Sequence, residues 1–253
     1  MARSATRAAV KRSWLACEER INSVNATTIP YNEPTRRALS KSFIENVVLA
    51  QYHQLTDWQK VTRQSAQLDS GYLGQHLVSL ISGTPGRGAG SRGKGHDLVD
   101  GSEIKAASAL GGIDAPRWNH ASFWKPQKVT DYLHSPFVYF VLFDTATRYE
   151  EIPLRLRMWR VAPQSDAVFS SVVTNWAAGK WSGNVQLHPP CWREGSRVTN
   201  EAGNLMLPLI FEAVQREIEG VDFMDIVTWN LRRAKSTAAP RGNGSTVQPV
   251  SGQ

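Results

Sequence analysis

The stretch Phe137-Val138-Tyr139-Phe140-Val141-Leu142-Phe143 is an unbroken apolar run of strand length. It is rich in aromatic and β-branched residues, which pack well on a pleated surface. A strand without polar alternation is typically buried on both faces. The run therefore predicts the central strand of a sheet that is covered on both sides. Residues 154–161 show an imperfect alternation of apolar and basic side chains. This pattern predicts a second strand that is half exposed.

Helical periodicity surrounds these strands. Apolar residues at spacings of three and four predict helices over residues 6–24, 35–54, a short segment around Trp58, 68–81, 166–178, 200–219 and 222–234. This order of elements predicts an α/β or α+β fold with a small central mixed sheet flanked by helices and preceded by an N-terminal helical region.

Composition limits the function classes. The 253 residues carry 29 Lys+Arg against 22 Asp+Glu, which leaves a formal charge of 29 − 22 = +7. Excess positive charge favours a polyanion such as nucleic acid. Cys17 and Cys191 are the only cysteines, which argues against a disulfide framework or a cysteine zinc site. With no apolar run of 18 residues, we expect a soluble protein in a reducing, cytoplasmic setting.

The segment from His96 to Lys105 carries the chemistry. Asp100-Gly101 is a turn signal, so residues 96–99 and 102–108 are predicted to form a hairpin. On an extended segment Glu103 and Lys105 share one face while Ile104 points to the core. The turn then brings Asp97 beside them. Two carboxylates that share a site favour a divalent cation, and hard oxygen ligands suit Mg²⁺. These groups suffice for phosphodiester hydrolysis.

The spacing Asp97-x5-Glu103-x-Lys105 resembles the active-site signature of the PD-(D/E)XK nuclease superfamily, and of type II restriction endonucleases within it. Upstream, Ser70-Gly-Tyr-Leu-Gly-Gln75 is similar to the start of a helix in the MutH-like branch. The motif Asp100-Gly-Ser-Glu-Ile-Lys105 and the segment from Pro116 to His120 resemble the MamI-type restriction enzymes. The resemblance covers about residues 68–145.

This resemblance implies a restriction-endonuclease-like fold and a role for each matching residue. Asp97 and Glu103 would bind Mg²⁺, Ile104 would contribute its backbone carbonyl, and Lys105 would orient the attacking water. Three segments are then expected. Residues 1–67 form a helical region packed on the core, 68–235 form the nuclease core with its DNA-recognition loops, and 236–253, rich in Gly, Ser, Thr and Pro, form a disordered tail.

The sequence departs from the family pattern at some positions. The MutH-like helix usually carries a glutamate near the position of Val78, and Glu45 on an earlier helix is the candidate substitute. His96 replaces the superfamily proline. Asp100 competes with Asp97 for the role of first carboxylate; we prefer Asp97, because Asp100 lies in the turn itself.

Other motifs are less consistent with the chain. The segment from Gly88 to Lys94 matches G-x4-G-K, but Gly95 replaces the Ser/Thr of a P-loop, and the flanking elements are in the wrong order. No H-x3-H, H-E-x-x-H or G-x-S-x-G pattern occurs, which disfavours a histidine zinc site or a serine hydrolase.

Basic and polar residues cluster in sequence around the predicted hairpin. The candidates for DNA contact are Arg87, Arg92, Lys94, Arg117, Asn119, His120, Lys125 and Arg193. Arg and Asn can form bidentate bonds with guanine and adenine edges, but contacts to phosphate are more frequent.

These observations predict a Mg²⁺-dependent type II restriction endonuclease that cleaves double-stranded DNA. Double-strand cleavage at a palindrome requires two sites related by a two-fold axis, so a homodimer is expected. A cognate methyltransferase is expected in the same system, without a stable complex. Two alternatives stay open: a MutH-like repair nickase, and a non-catalytic DNA-binding protein.

Overall fold

The computed structural model describes the residues that build the central sheet and its flanking helices. These are residues 28–88, 96–110, 117–119, 126–145, 153–178, 186–187 and 207–232. The predicted helix over 6–24 and the predicted tail from residue 236 lie outside these ranges.

The described chain alternates helices and strands. The helices are α1 (Glu33–Phe43), which continues through a π-helical segment (Ile44–Leu49) into α2 (Ala50–Thr62), and then α3 (Ser70–Ser82), α4 (Pro126–Leu133) and α5 (Ala167–Ala177). The strands are β1 (Glu103–Ser108), β2 (Trp118–Asn119), β3 (Val138–Thr145), β4 (Leu154–Val161), β5 (Gln186–Leu187), β6 (Leu209–Ile218) and β7 (Val221–Trp229). None of the helices in these ranges is both long enough and apolar enough to cross a bilayer.

Five strands form one mixed sheet in the order β1-β3-β4-β6-β7. Strands β1 and β3 are parallel, with Glu103 opposite Val138, whereas the other neighbours are antiparallel. Parallel neighbours need a crossover connection, and α4 lies in the one that joins β1 to β3. The predicted α+β class with a small mixed sheet flanked by helices is confirmed. Strands β2 and β5 form a separate two-stranded ribbon.

The sheet separates two apolar clusters. On one face Tyr139 and Val141 of β3 pack in a cluster with residues of α3 and the π-helical segment. On the other face Val138, Phe140 and Leu142 pack in a cluster with residues of α4 and α5. All eight residues of β3 are buried, as its sequence predicts.

Strand β4 differs from the prediction of a half-exposed strand, which is wrong. Of its eight residues only Arg155 is not buried. Arg155 Nη2 and Arg157 Nη2 lie 2.7 and 2.8 Å from Oδ2 of buried Asp144 on β3. Because this buried carboxylate pairs with both guanidinium groups, Arg155 and Arg157 can occupy an interior strand.

The predicted helices over 200–219 and 222–234 are also wrong, because β6 and β7 form a hairpin there. Its turn is Glu219-Gly220, at positive φ values of 52° and 74°. The first seven residues of β6 are buried or half-buried, so both faces of this part are covered and its sequence lacks the alternation of a half-exposed strand. An apolar run of this kind does not distinguish a strand from a buried helix.

Candidate active site

Helix α3 packs very closely against β1. Its N-terminus is capped by Asp69, whose Oδ1 accepts the Tyr72 amide at 3.4 Å, and Gly83 ends it at a left-handed φ of 78°. A Cβ added at Gly74 would lie 2.9 Å from Cβ of Ala106 on β1. This contact explains the glycine and brings the next residue, Gln75, to the start of β1.

A tight turn precedes β1, but the predicted partner strand over 96–99 does not form. The Gly101 amide donates to the Leu98 carbonyl at 3.1 Å, and Gly101 has φ 89°. Leu98 makes an isolated bridge with Gly86, so the segment pairs with the preceding loop rather than with β1. Asp100 accepts the Ser102 amide at 2.9 Å within this turn, and Asp97 lies beyond it.

Asp97 lies along the outer edge of β1. The Glu103 amide donates to the Phe137 carbonyl at 3.0 Å on the β3 side, so the backbone groups of Ile104 point to the opposite edge. There Asp97 Oδ2 accepts the Ile104 amide at 2.8 Å. Gln75 Nε2 donates to Asp97 Oδ1 at 3.1 Å. Both carboxylate oxygens are therefore oriented beside an edge that also presents the Ile104 carbonyl.

Glu103 and Lys105 lie together on one face of β1, whereas Ile104 is buried on the other face. Lys105 Nζ is 2.6 Å from Glu103 Oε1, and both side chains are partly buried. His96 Nδ1 lies 3.8 Å from Glu103 Oε2 and 3.3 Å from the Ser135 hydroxyl. Glu103 thus has a cationic and an imidazole neighbour.

The electrostatics of the site oppose a charged Asp97. Burial raises the pKa of this carboxyl, and the Glu103 carboxylate raises it further, while the Ile104 amide and Lys105 act in the opposite direction. Two carboxylates in a partly desolvated site repel each other. A cation between them would remove this repulsion.

The residues present fit a hard divalent cation. Two carboxylates and one backbone carbonyl supply only oxygen donors, which Mg²⁺ prefers. Within the described ranges, no group of three or more His, Cys, Asp or Glu side chains could hold a metal. The structure thus offers two acidic side chains for the ion, and water would complete its coordination.

Glu45 is not brought to this site. Its Oε1 accepts the Met224 amide of β7 at 3.0 Å, and β7 is the opposite edge strand from β1. Four strand spacings of about 4.8 Å separate the two edges by about 19 Å. Val78, at the position where the MutH-like helix usually has a glutamate, is fully buried in the core.

The candidate DNA contacts are only partly described. Arg87 is exposed next to the site, because its amide donates to the Asp97 carbonyl at 3.2 Å. Arg117 and Asn119 are exposed at the β2–β5 ribbon. The remaining candidates lie outside the described ranges: Arg92, Lys94, His120, Lys125 and Arg193.

Two side chains beside the carboxylates were not predicted as functional. Gln75 stands in the motif Ser70-Gly-Tyr-Leu-Gly-Gln75, but its bond to Asp97 depends on how α3 docks. His96 immediately precedes Asp97, and its contact with Glu103 depends on the turn. The glycine and glutamine spacing of the motif was the available signal for Gln75.

Comparison of the sequence with known proteins identifies related proteins. A family model described as MamI restriction endonuclease matches residues 57–224. The chain is also similar to the type II restriction enzyme MamI of Microbacterium ammoniaphilum, with 36% identity over 181 residues. The aligned region covers 64% of this chain and 58% of that protein. The chain therefore spans less than two thirds of this relative. No solved structure matches the chain significantly.

Proposed function

This chain belongs to the MamI restriction endonuclease family, and we propose that it is a type II restriction endonuclease that hydrolyses phosphodiester bonds of double-stranded DNA in a Mg²⁺-dependent reaction. The observation that carries the proposal is the placement of Asp97, Glu103 and Lys105 around the free edge of β1. The related enzyme from Microbacterium ammoniaphilum supports the assignment.

Each side chain of the site has a task in this proposal. Asp97, which is oriented by the Ile104 amide and Gln75, would hold the metal together with Glu103 and the Ile104 carbonyl. Mg²⁺, when bound, would polarise the scissile phosphate, lower the pKa of water and stabilise the leaving alkoxide. Lys105 donates from beside Glu103 to orient the attacking water. His96 and Ser135 restrict the position of Glu103.

Positive residues around the site would hold the DNA backbone. Arg87 is exposed directly beside Asp97, and its guanidinium suits a phosphate. We assign the same general role to Arg92, Lys94, Lys125 and Arg193, and we include His120 among the groups that face DNA. These side chains position the duplex and carry little sequence information.

Double-strand cleavage requires two copies of this site. We propose a homodimer with a two-fold axis that matches a palindromic target. The outer edge of β7 is a poor dimer surface, because Glu45 and Arg37 bond the Met224 amide and the Ile226 carbonyl there. We also expect a methyltransferase in the same system, without a stable complex.

Plasmid cleavage tests the proposal. Purified protein is incubated with supercoiled plasmid and Mg²⁺, with and without EDTA, and discrete linear fragments are expected only with Mg²⁺. Asp97→Ala, Glu103→Ala and Lys105→Ala should each lower the cleavage rate by at least about 100-fold. Asp57→Ala is the control, because Asp57 is exposed on α2, where it pairs with Lys60 of the same helix.

Each other result has a defined meaning. Nicked circles would indicate a nickase, and a mobility shift without cleavage would indicate a DNA-binding protein without catalysis. Full activity of Asp97→Ala would overturn the assignment of the site. Light scattering of the free and DNA-bound protein tests the homodimer, and a DNA complex with a single chain would contradict it.

A further inference from the structure

The β2–β5 ribbon is anchored to the sheet by one large side chain. Trp118 is 1% exposed, and its ring centroid lies 4.8 Å from that of Phe140 and 5.7 Å from that of Trp159. Its indole Nε1 donates to the Val141 carbonyl at 2.9 Å. Packing and a buried hydrogen bond together fix the position of this short ribbon.

The anchor lies next to the catalytic strand. Val141 is in register with Ala106, the residue that follows Lys105. Trp118 belongs to the same apolar cluster as Ala107 of β1, and Ala107 shares a strand face with Glu103 and Lys105. The ribbon is therefore held on the side of the sheet that carries the catalytic side chains.

The residues on either side of the anchor point away from the core. Arg117 and Asn119 are exposed while Trp118 is buried, as alternation along an extended segment requires. Side chains at i and i+2 are about 6.7 Å apart, which is about twice the 3.4 Å rise of one base pair. Two such side chains could therefore reach bases about two steps apart.

The chemistry of this pair suits the major groove. A two-stranded ribbon fits the groove, Arg forms bidentate bonds with guanine, and Asn does so with adenine. Both side chains can also bond phosphate oxygens, since neutral amides do so as well as guanidinium groups. Base edges are favoured by the geometry, because both side chains project from the same face of a ribbon that fits the major groove, and each carries the planar group of a bidentate base contact.

We propose that Arg117 and Asn119 are specificity-determining residues that read base edges in the major groove, with Trp118 as the structural anchor. This inference rests on the proposed function, because it assumes DNA as the substrate. It adds the element that reads sequence, which the catalytic residues do not supply.

The test uses a pool of double-stranded DNA fragments with a randomised insert. Wild type, Arg117→Ala and Asn119→Ala are incubated with the pool and Mg²⁺, and the cleaved ends are sequenced. Each variant should lose discrimination at one base-pair position in each half-site by about 5- to 150-fold, and within a half-site the positions affected by the two variants should be about two steps apart. Discrimination elsewhere in the site should be retained.

Two further variants separate base reading from other roles. Arg117→Lys keeps the charge but loses the planar fork, so it should relax specificity as Arg117→Ala does. Arg216→Ala is the control, because Arg216 is exposed on β6, where its guanidinium lies 3.9 Å from the Asp225 carboxylate. It should leave the preferred sequence unchanged.

The inference is overturned if both alanine variants keep the wild-type preference. It is also overturned if they weaken cleavage of all sequences equally with a smaller salt dependence, since that result marks phosphate contacts. If wild type does not cleave the pool, the proposed nuclease fails. Binding selection from the same pool then tests the inference. It is supported if the variants select sequences with relaxed positions, and it is overturned if they select the same sequences as wild type.

Discussion

At the scale of single residues, the site depends on how each carboxylate is held. Asp97 uses one oxygen for the Ile104 amide and the other for Gln75, so its orientation is fixed before any ion binds. Glu103 is fixed by Lys105 on one side and approached by His96 on the other. Mutation of partners of this kind typically costs about 10- to 100-fold in metal affinity or activity.

Gln75→Ala should raise the Mg²⁺ concentration needed for half-maximal cleavage by about 10- to 100-fold. The variant frees Asp97 Oδ1, and the carboxylate can then rotate. Metal titrations of plasmid cleavage measure this effect, and excess Mg²⁺ should restore much of the rate. Gln51→Ala on exposed α2 serves as the control. An unchanged titration curve for Gln75→Ala would refute the positioning role.

Asp97→Asn should stabilise the metal-free protein at neutral pH. Burial and Glu103 raise the pKa of Asp97 above its ordinary value of 3.8. Stability from such a carboxyl is fully present below the unfolded-state pKa and is lost as pH rises through the folded-state pKa. An asparagine does not ionise and therefore avoids this loss. Its amide can still accept from Ile104 and donate to a rotated Gln75.

Thermal unfolding in EDTA measures the difference in Tm between Asp97→Asn and wild type. This difference should be larger at pH 7.5 than at pH 4.5. Added Mg²⁺ should raise the Tm of wild type more than that of the variant. A variant that is less stable than wild type at pH 7.5 in EDTA would contradict the argument.

At the scale of elements, the packing of helices on the sheet positions the candidate site and covers one of the two outer strands. Helix α3 approaches β1 through Gly74, which has no side chain to separate them. The helix that begins at Glu33 covers the other edge, where Arg37 bonds the Ile226 carbonyl and Glu45 bonds the Met224 amide. Such coverage protects an edge strand from pairing with another chain.

Gly74→Ala and Gly71→Ala should have opposite effects on stability. Alanine at 74 would place a Cβ 2.9 Å from that of Ala106, whereas at 71 the nearest atom is Asp69 Oδ1 at 3.5 Å. Overpacking typically costs about 1–3 kcal/mol, while Gly→Ala in a helix gains up to about 1 kcal/mol. Denaturant unfolding should show a lower free energy of unfolding only for Gly74→Ala, together with slower cleavage. Equal behaviour of the two variants would refute the close-approach argument.

Glu45→Ala should lower the free energy of unfolding by about 1 kcal/mol, because the Met224 amide loses its partner. Glu45→Gln, which keeps an acceptor oxygen, should be closer to wild type. Cleavage per folded molecule and its Mg²⁺ dependence should change in neither variant, since Glu45 lies on the far edge of the sheet. A shifted Mg²⁺ dependence in Glu45→Gln would instead favour Glu45 as a metal ligand.

At the scale of the whole molecule, the charge of +7 becomes more favourable to DNA once a divalent ion neutralises Asp97 and Glu103. In the proposed function, the DNA-binding surface would combine Arg87 beside the site with the ribbon that carries Arg117 and Asn119. Phosphate contacts would then supply most of the affinity, and the ribbon would supply selectivity.

DNA affinity should therefore depend strongly on salt. Four phosphate contacts would give a log–log slope of about −3.6, so raising salt from 50 to 200 mM should weaken binding by about 100-fold or more. Fluorescence anisotropy in EDTA measures this with an uncut duplex. A slope near zero would contradict an electrostatic DNA surface.

The sequence by itself determined the parts whose signal is local. The apolar run of β3 predicts an interior strand, the glycine at 83 ends α3, and the spacing of Asp97, Glu103 and Lys105 predicts the chemistry. Alternation along a strand is also local, so the shared face of Glu103 and Lys105 follows from their positions alone. These features depend on neighbours within about ten residues.

Only the tertiary structure decided the features that depend on distant partners. Residues 209–229 are a hairpin because β4 offers β6 an edge, although their apolar pattern also suits helices. Arg155 and Arg157 lie in an interior strand because both pair with the buried Asp144 carboxylate. Gln75 bonds Asp97 because α3 packs closely on β1. Glu45 lies far from Asp97 because it bonds β7, at the opposite edge of the sheet. Neither distance follows from the spacing of these residues in the sequence. Burial and pairing outweigh local propensity at these positions, since each depends on residues far apart in the chain.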